Sequence, residues 1–261
     1  MTSISLRKGL LAGAAGAFVF GFAACNRAQV VQGECRPVHG SDVCVWSESS
    51  GSTLVSFGAT IPMGVVENAP ATAPMVWPPV AAATIPLPAA VKSATGFNMM
   101  TIYWEPNGHP PGPYLTPHFD FHFYTMDPAA VDAIDCADVT KPSRLPAAYA
   151  LPDVMGTPMG DLVGLCVPKM GMHALPEAEM NAATLFRSTM VVGYYATRPI
   201  FIEPMITKAV LLERRSFTIA VPEVADRPAG TRYPMTFKAD YDATAKAYRF
   251  RFSGLPAAGD Q

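Results

Sequence analysis

The sequence predicts a mainly β protein, either a β-sandwich or a small barrel, with two or so short helices. Short runs that alternate apolar and polar residues recur from residue 97 onward, and Gly- and Pro-rich segments separate them. Half of the residues are hydrophobic and only 15% are charged, which is typical of a folded chain with a sizeable core. Only two segments have the composition and start signals of helices.

The first 25 residues differ in composition from the rest of the chain. Arg7 and Lys8 precede the apolar run GLLAGAAGAFVFGFAA, which is the pattern of a secretory signal peptide over residues 1–24. The tail FAAC resembles the lipobox of bacterial lipoproteins, which implies an exported protein whose Cys25 carries a lipid and anchors it in the cell envelope, periplasmic or at the outer surface. Phe22 stands where Leu is usual, so ordinary cleavage without lipidation is the alternative.

Four further cysteines are candidates for disulfide bonds. Disulfides form in oxidising compartments, and an even number of cysteines in an exported chain favours pairing. Three pairings exist, and we favour the local one because it closes two short loops, with free buried thiols as the alternative. No Cys-x-x-Cys spacing indicates a redox or zinc-ribbon role. The favoured pairs are Cys35 with Cys44 and Cys136 with Cys166.

The folded part is predicted to be a single β-rich domain over residues 51–255. A lipidated, polar tether over residues 25–50 precedes it, and a tail over residues 256–261 follows it. The proline-rich stretch 68–90 should wrap the surface, because proline lacks the backbone donor that an inner strand needs. Helices are predicted after Asp127 and from Pro176, and the strands include 97–106, 117–126, 161–167, 188–196, 198–204, 208–222 and a closing hairpin over 233–254.

Residues 117–126, PHFDFHFYTM, concentrate the candidate functional groups. The aromatic content favours a strand, and a zinc-peptidase helix is excluded because no cap precedes the segment and no Glu follows its first histidine. In a strand, His118, Asp120, His122 and Tyr124 share one face, and the phenylalanines share the other. Residues four apart on a strand are about 13 Å apart, so a bend is needed before both histidines bind one ion.

Two distant residues complete a predicted metal site. His173 follows a Gly/Pro turn, and Glu203 is a carboxylate inside an apolar run that needs a partner. The predicted ligands would suit Zn, Mn, Fe, Cu or Ni. Asp120, Tyr124 and His109 are predicted to surround and orient them. The ligand set is His118, His122, His173 and Glu203.

Each of these residues also has a structural interpretation. His118, Asp120 and His122 would form a hydrogen-bonded polar ladder, in which the carboxylate accepts from both rings. His173 would cap backbone groups in a turn. Glu203 would form an ion pair with one of two basic residues near it in the sequence, Arg198 and Lys208.

Three strings, PHFDFHFY, GLCVPKMGMH and IFIEPMIT, resemble a poorly characterised family of bacterial exported domains, some of which are associated with envelope stress regulation. The resemblance covers roughly residues 50 to 255 and implies no specific activity. A looser likeness links the histidines and the glutamate to the cupins. The first two histidines are spaced by three residues instead of one, and Glu203 follows His173 instead of preceding it, so only a jelly-roll-like architecture is implied.

Two classes of function follow. The first is an exported metal-binding domain, with or without enzymatic activity and with no small-molecule ligand identified. The second is a non-catalytic envelope lipoprotein, as a homo-oligomer or with other proteins, in which the histidines are structural. The net charge of −2 and the absence of a long basic run argue against nucleic-acid binding. No nucleophile elbow or phosphate-binding loop occurs.

Overall fold

The computed structural model describes residues 1, 28–74, 76–180 and 182–256. The predicted signal peptide, Met1 apart, and Cys25 lie outside these residues, as does most of the predicted tail. Among the residues described, no helix has the length and hydropathy needed to span a membrane.

Two antiparallel sheets face each other, so the predicted mainly β sandwich is confirmed, and neither sheet closes into a barrel within the described chain. The strands of the first sheet are β1 (Gln29–Val38), β2 (Ser41–Ser50), β3 (Thr53–Pro62), β13 (Phe217–Ala220), β14 (Thr236–Asp242) and β15 (Ala247–Ser253). They lie in the order β1-β2-β3-β15-β14-β13. The strands predicted as a closing hairpin, β14 and β15, form the centre of this sheet beside β3.

The strands outside the first sheet are β4 (Ala83–Pro86), β5 (Met99–Glu105), β6 (His118–Tyr124), β7 (Tyr149–Ala150), β8 (Val154–Thr157), β9 (Gly160–Leu162), β10 (Met172–Pro176), β11 (Ser188–Tyr195) and β12 (Arg198–Thr207). Seven of them form the second sheet, in the order β4-β5-β6-β12-β11-β10-β7, and β8 and β9 form a separate hairpin. The proline-rich stretch supplies only the edge strand β4 of the second sheet, because proline lacks the backbone donor that an inner strand needs.

The main core lies between the two sheets and is rich in phenylalanine. Ring pairs join the sheets: Phe121 lies 4.9 Å from Phe250, and Phe123 lies 4.9 Å from Phe252. All four side chains are fully buried. Because side chains alternate across a strand, each of these strands contributes every second residue to the core.

Residues 29–50 form a β-hairpin, and not the tether outside the domain that their polar composition predicts. Val43 and Val45 are fully buried in the main core, so the folded domain begins before residue 51. The outward side chains of β1 are polar or exposed, which made the segment resemble a linker. Cys35 lies directly opposite Cys44 in this hairpin, and their disulfide is one of the two predicted pairs.

The helices are short, and there are more of them than predicted. Residues 208–212 form a helix instead of the predicted strand, because the side chain of Thr207 caps it by accepting from the Val210 N–H at 3.3 Å. The predicted strand 161–167 gives way to a 3-10 turn over 163–165, where Gly164 has φ of 60°. The helices are α1 (Met63–Glu67), α2 (Ala89–Thr95), α3 (Pro128–Asp132), α4 (Glu177–Met180) and α5 (Lys208–Leu212).

A second apolar cluster covers the outer face of the seven-stranded sheet. It combines side chains of β5, β6, β11 and β12 with residues from the connecting segments, among them Tyr114, Val131, Leu165 and Phe186. The second predicted disulfide, Cys136 with Cys166, joins two of these connecting segments. The outer face of β6 is therefore shielded from solvent by connecting segments and by the β8–β9 hairpin, whose Leu162 belongs to the cluster.

Candidate metal centre

Strand β6 directs its polar residues toward the covered outer face of the seven-stranded sheet. Its phenylalanines point into the core between the sheets, as the period of two predicts. His118, Asp120 and His122 are 0%, 4% and 1% exposed. The three polar groups therefore face the protein interior, where each of them needs a polar or ionic partner.

Strand register brings Glu203 beside His122. In the pairing of β6 with β12, Phe123 lies opposite Ile202 and Asp120 opposite Met205, which places His122 across from Glu203. His173 reaches the same place from β10, on the far side of β11. Three strands that are distant in sequence thus deliver His122, His173 and Glu203 to one point.

The ligand atoms of His122, His173 and Glu203 lie within 4.8 Å of one another. The Nε2 atom of His122 is 3.4 Å from the Nε2 of His173 and 3.4 Å from Oε2 of Glu203. Ligand atoms bound at about 2.1 Å in a tetrahedral arrangement lie roughly 3.4 Å apart, so two of these separations match the edges of such a site. We call these three residues the triad.

Hydrogen bonds fix how His173 faces the triad. Its Nδ1 lies 3.0 Å from the carbonyl oxygen of Leu165, and because a carbonyl only accepts, Nδ1 carries the proton. The lone pair of the neutral ring is then on Nε2, which faces His122. This arrangement, with one ring nitrogen held by a backbone carbonyl, is the usual one for histidines that bind metals.

Two atoms of the triad have no hydrogen-bond partner within the described residues. They are Nδ1 of His122 and Oε2 of Glu203, and both are buried. Unpaired polar atoms at such depth cost roughly 1–3 kcal/mol each. A cation bound by Glu203 would give its oxygen a partner.

Aromatic rings enclose the triad. The ring of Phe201 lies 4.6 Å from that of His122 and 5.1 Å from that of His173, measured between centroids. Tyr124 stacks on His122 at 5.6 Å, and Tyr103 meets it edge-on at 5.2 Å. These rings surround the triad with apolar surface and fix the orientation of the His122 ring.

Gly193 makes room for this wall. It pairs with both His173 and Phe201 across the neighbouring strands. A Cβ atom at Gly193 would lie 1.9 Å from the Phe201 ring, so no larger residue fits there without displacing that ring.

Burial shifts the pKa values of all three triad residues toward their neutral forms. It raises the pKa of Glu203 well above its ordinary range, and the negative charge of Asp120 adds to this. Burial, with the nearby His173, lowers the pKa of His122 to about 3. Burial also lowers the pKa of His173 to about 4. Near neutral pH both imidazoles are therefore neutral, as metal ligands must be.

His118 does not join the triad, which corrects the predicted four-ligand set. It lies instead with Asp120 and His109, and the ligand atoms of this second group lie within 4.8 Å of one another. The His118 ring, four residues from His122, is too far along the extended strand to share its partner. Burial alone would raise the pKa of Asp120, but the charge of His118 and its contact with the carboxylate, together with the charges of His109 and His122, lower this pKa to about 2.

The structure contradicts the predicted ion pair of Glu203 and the placement of His173 in a turn. Oε2 of Glu203 lies 3.4 Å from Nε2 of His122, and Lys208 instead donates to the carbonyl oxygen of Ala69. His173 lies in β10 and not in a turn, although its ring does donate to a backbone carbonyl, that of Leu165. The single polar ladder is wrong as well, because Asp120 pairs with His118 and His122 pairs with Glu203.

Sequence reasoning missed several residues of this face. Thr101 and Glu105 on β5 lie opposite His122 and His118, and burial raises the pKa of Glu105 to about 7. Thr101 and Tyr103 also line a groove of about 450 Å³ whose other wall includes Trp77. The alternation in residues 99–105 places Thr101, Tyr103 and Glu105 on one face, but only the pairing with β6 shows what they adjoin.

No known protein family, no curated protein and no solved structure matches this chain. The resemblance to a family of bacterial exported domains and the looser one to the cupins stay predictions. The chemistry of the site is therefore inferred from the residues themselves.

Proposed function

We propose that this protein is an exported metal-binding protein in which His122, His173 and Glu203 hold one divalent transition-metal ion. One observation carries the proposal: two imidazole nitrogens and one carboxylate oxygen, from three different strands, lie buried within 4.8 Å of one another, and two of their separations are 3.4 Å. Burying three ionisable groups is unfavourable unless they are paired or bind a metal. No sequence-local reason brings these residues together.

The composition of the triad selects the class of metal. Two imidazoles and one carboxylate suit zinc and the neighbouring first-row metals Mn, Fe, Cu and Ni, whereas calcium and magnesium prefer oxygen ligands alone. Three protein ligands leave a further position, which water or a substrate fills in catalytic sites. The groove beside His122, along Thr101 and Tyr103, is where such a molecule would approach.

Export and anchoring belong to the same proposal. The signal-peptide pattern over residues 1–24 and the two disulfides support an oxidising compartment outside the cytoplasm. The lipobox-like tail supports a lipid on Cys25 that holds the domain at a membrane surface. A metal site in such a domain would meet ions and small molecules of the cell envelope.

Metal analysis of the full chain tests the proposal. The protein is freed of metal with a chelator, dialysed against a small excess of Zn²⁺ and analysed by mass spectrometry of the elements. We expect His122→Ala and His173→Ala each to bind one ion fewer than the unchanged protein. His39→Ala is the matched control, because His39 lies outside both groups and bonds the Val65 carbonyl.

Near-ultraviolet circular dichroism of each variant checks that it is folded. If folded His122→Ala and His173→Ala bind as much Zn²⁺ as the control, the triad is structural. The alternative of a non-catalytic envelope lipoprotein, as a homo-oligomer or with a protein partner, would then be preferred.

A further inference from the structure

We propose that His109, His118 and Asp120 form a second binding site for a divalent transition-metal ion, beside the triad on the same face of the sheet. This site goes beyond the proposed function, because it shares no ligand with the triad. Its three ligand atoms, two imidazole nitrogens and one carboxylate oxygen, lie within 4.8 Å of one another.

Both histidines of this second site point the same ring nitrogen at the carboxylate. Nδ1 of His118 lies 2.6 Å from the Thr116 carbonyl oxygen, and Nδ1 of His109 lies 2.9 Å from that of Pro110. Each carbonyl can only accept, so each Nδ1 carries a proton. A bound ion would take the place of any proton on the two Nε2 atoms, which lie 3.2 Å (His118) and 3.9 Å (His109) from the two oxygens of Asp120.

The pairing of His118 with Asp120 leaves hydrogen-bonding capacity unused. Nε2 of His118 and Oδ1 of Asp120 are buried and 3.2 Å apart, yet neither has a hydrogen-bond partner in the described part of the chain. The two atoms are thus close but not oriented for a hydrogen bond with each other. A metal ion bound by both atoms would give the nitrogen and the oxygen a partner at the same time. The direct contact between them gives neither atom a hydrogen bond.

A neighbouring carboxyl group adds to this site, and access from solvent distinguishes it from the triad. Glu105 lies opposite His118 on β5, so a second carboxyl group stands close to Asp120. The His109 side chain is 29% exposed and belongs to the loop between β5 and β6. An ion can therefore reach the second site from solvent, and by binding His109 it would fasten that loop over the sheet.

Strand spacing makes the two sites separate. Asp120 is two residues from both His118 and His122, and residues that are two and four apart lie about 6.6 and 13 Å apart. The two ions would thus be farther apart than the roughly 4 Å of paired metals that share a water. We expect independent ions, each held by its own two histidines and one carboxylate.

Counting bound ions tests the second site and the triad separately. The full chain, stripped of metal and dialysed against Zn²⁺ alone, should hold two ions. The near-isosteric changes Asp120→Asn and His118→Gln should each leave one ion, and so should His122→Ala. His39→Gln should keep both ions.

Each other result overturns one proposal or both. One ion that survives Asp120→Asn but is lost in His122→Ala overturns the second site and leaves the triad standing. One ion that survives His122→Ala but is lost in Asp120→Asn overturns the triad and leaves the second site standing. No bound ion in the unchanged protein overturns both.

Histidine nitrogen NMR of the unchanged protein keeps the test valid if a variant fails to fold. Titration with Zn²⁺ should move the Nε2 resonances of His109 and His118 in addition to those of His122 and His173. Resonances of His109 and His118 that stay in place at saturating Zn²⁺ would overturn the second site.

Discussion

Strand β6 has two faces, and both are buried. On the inner face the rings of Phe119, Phe121 and Phe123 pack against the opposite sheet. On the outer face His118, Asp120 and His122 are covered by connecting segments and by side chains of the same sheet. The two faces share one backbone and nearly the same exposure, so their difference lies in chemistry alone.

This difference separates stability from function. Burial of the phenylalanines removes apolar surface from water and stabilises the fold. Burial of imidazole and carboxyl groups costs free energy unless they are paired or bind an ion. Ionisable groups buried next to an apolar core reduce the stability of the fold. Buried ionisable groups of this kind are typical of functional sites.

The largest expected effect is on the inner face. Phe121→Ala removes a fully buried ring that packs against Phe250, so we expect a loss of about 3–5 kcal/mol in the free energy of unfolding. His122→Gln in metal-free protein should lose less, because its buried ring is poorly satisfied. Urea unfolding of both variants measures the difference. If His122→Gln loses as much free energy of unfolding as Phe121→Ala or more, the polar face of β6 contributes at least as much to stability as the aromatic face.

Removal of the disulfide between Cys136 and Cys166 should affect both stability and metal binding. Cys136 and Cys166 are 30 residues apart, and opening that loop by changing both to Ser should cost about 3–4 kcal/mol. Leu165, which orients His173 through its carbonyl, is next to Cys166, so Zn²⁺ affinity should fall about 10- to 100-fold.

The matched control for this change is the disulfide of the hairpin in the other sheet. Replacing Cys35 and Cys44 by Ser should also reduce stability, but it should leave Zn²⁺ affinity unchanged, as measured by competition with a chromogenic chelator. Equal losses of affinity in both variants would mean that the effect is global and does not act through His173.

Gly193→Ala should have a smaller effect. The added methyl group meets the Phe201 ring, so the ring must move, at a cost of about 1–3 kcal/mol, and His122 and His173 lose their packing. Gly112→Ala is the control, because no atom lies within 4 Å of a methyl group there. Thermal unfolding and Zn²⁺ affinity should change only in the first variant. Unchanged values in both would show that the Phe201 ring is not constrained.

The last expected effect builds up gradually with pH. Burial raises the pKa of Glu203 above its ordinary value of 4.5, so in metal-free protein the folded state keeps a proton that the unfolded state releases. The free energy of unfolding therefore falls as the pH rises from 4.5 toward the folded-state pKa. Glu203→Gln removes this loss, so its stability relative to the unchanged protein should rise by about 1.4 kcal/mol per pH unit in that window.

Urea unfolding of both proteins at pH 5, 6 and 7 measures this difference in stability. The titrations of His122 and His173 below pH 6.5 occur in both proteins and largely cancel. A difference that is constant from pH 5 to 7 would contradict the buried, protonated state of Glu203.

Local patterns predicted much of the fold. Alternation in residues 117–126 gave the two faces of β6, and cysteine spacing gave both disulfide pairs. Two errors had local causes as well. The exposed, largely polar side chains of β1 resemble those of a tether, although the segment is a strand. The cap at Thr207 starts the helix α5 where the apolar pattern predicts a strand.

The sequence alone determined which side chains share a face, because the alternation of a strand is fixed by bonds between neighbouring residues. It also identified His118, His122, His173 and Glu203 as the unusual polar residues. Only the tertiary structure decided that His122 meets Glu203 and His173 while His118 meets Asp120 and His109. Those partners depend on the register and order of β6, β12, β11 and β10, which are set by packing between residues far apart in the chain.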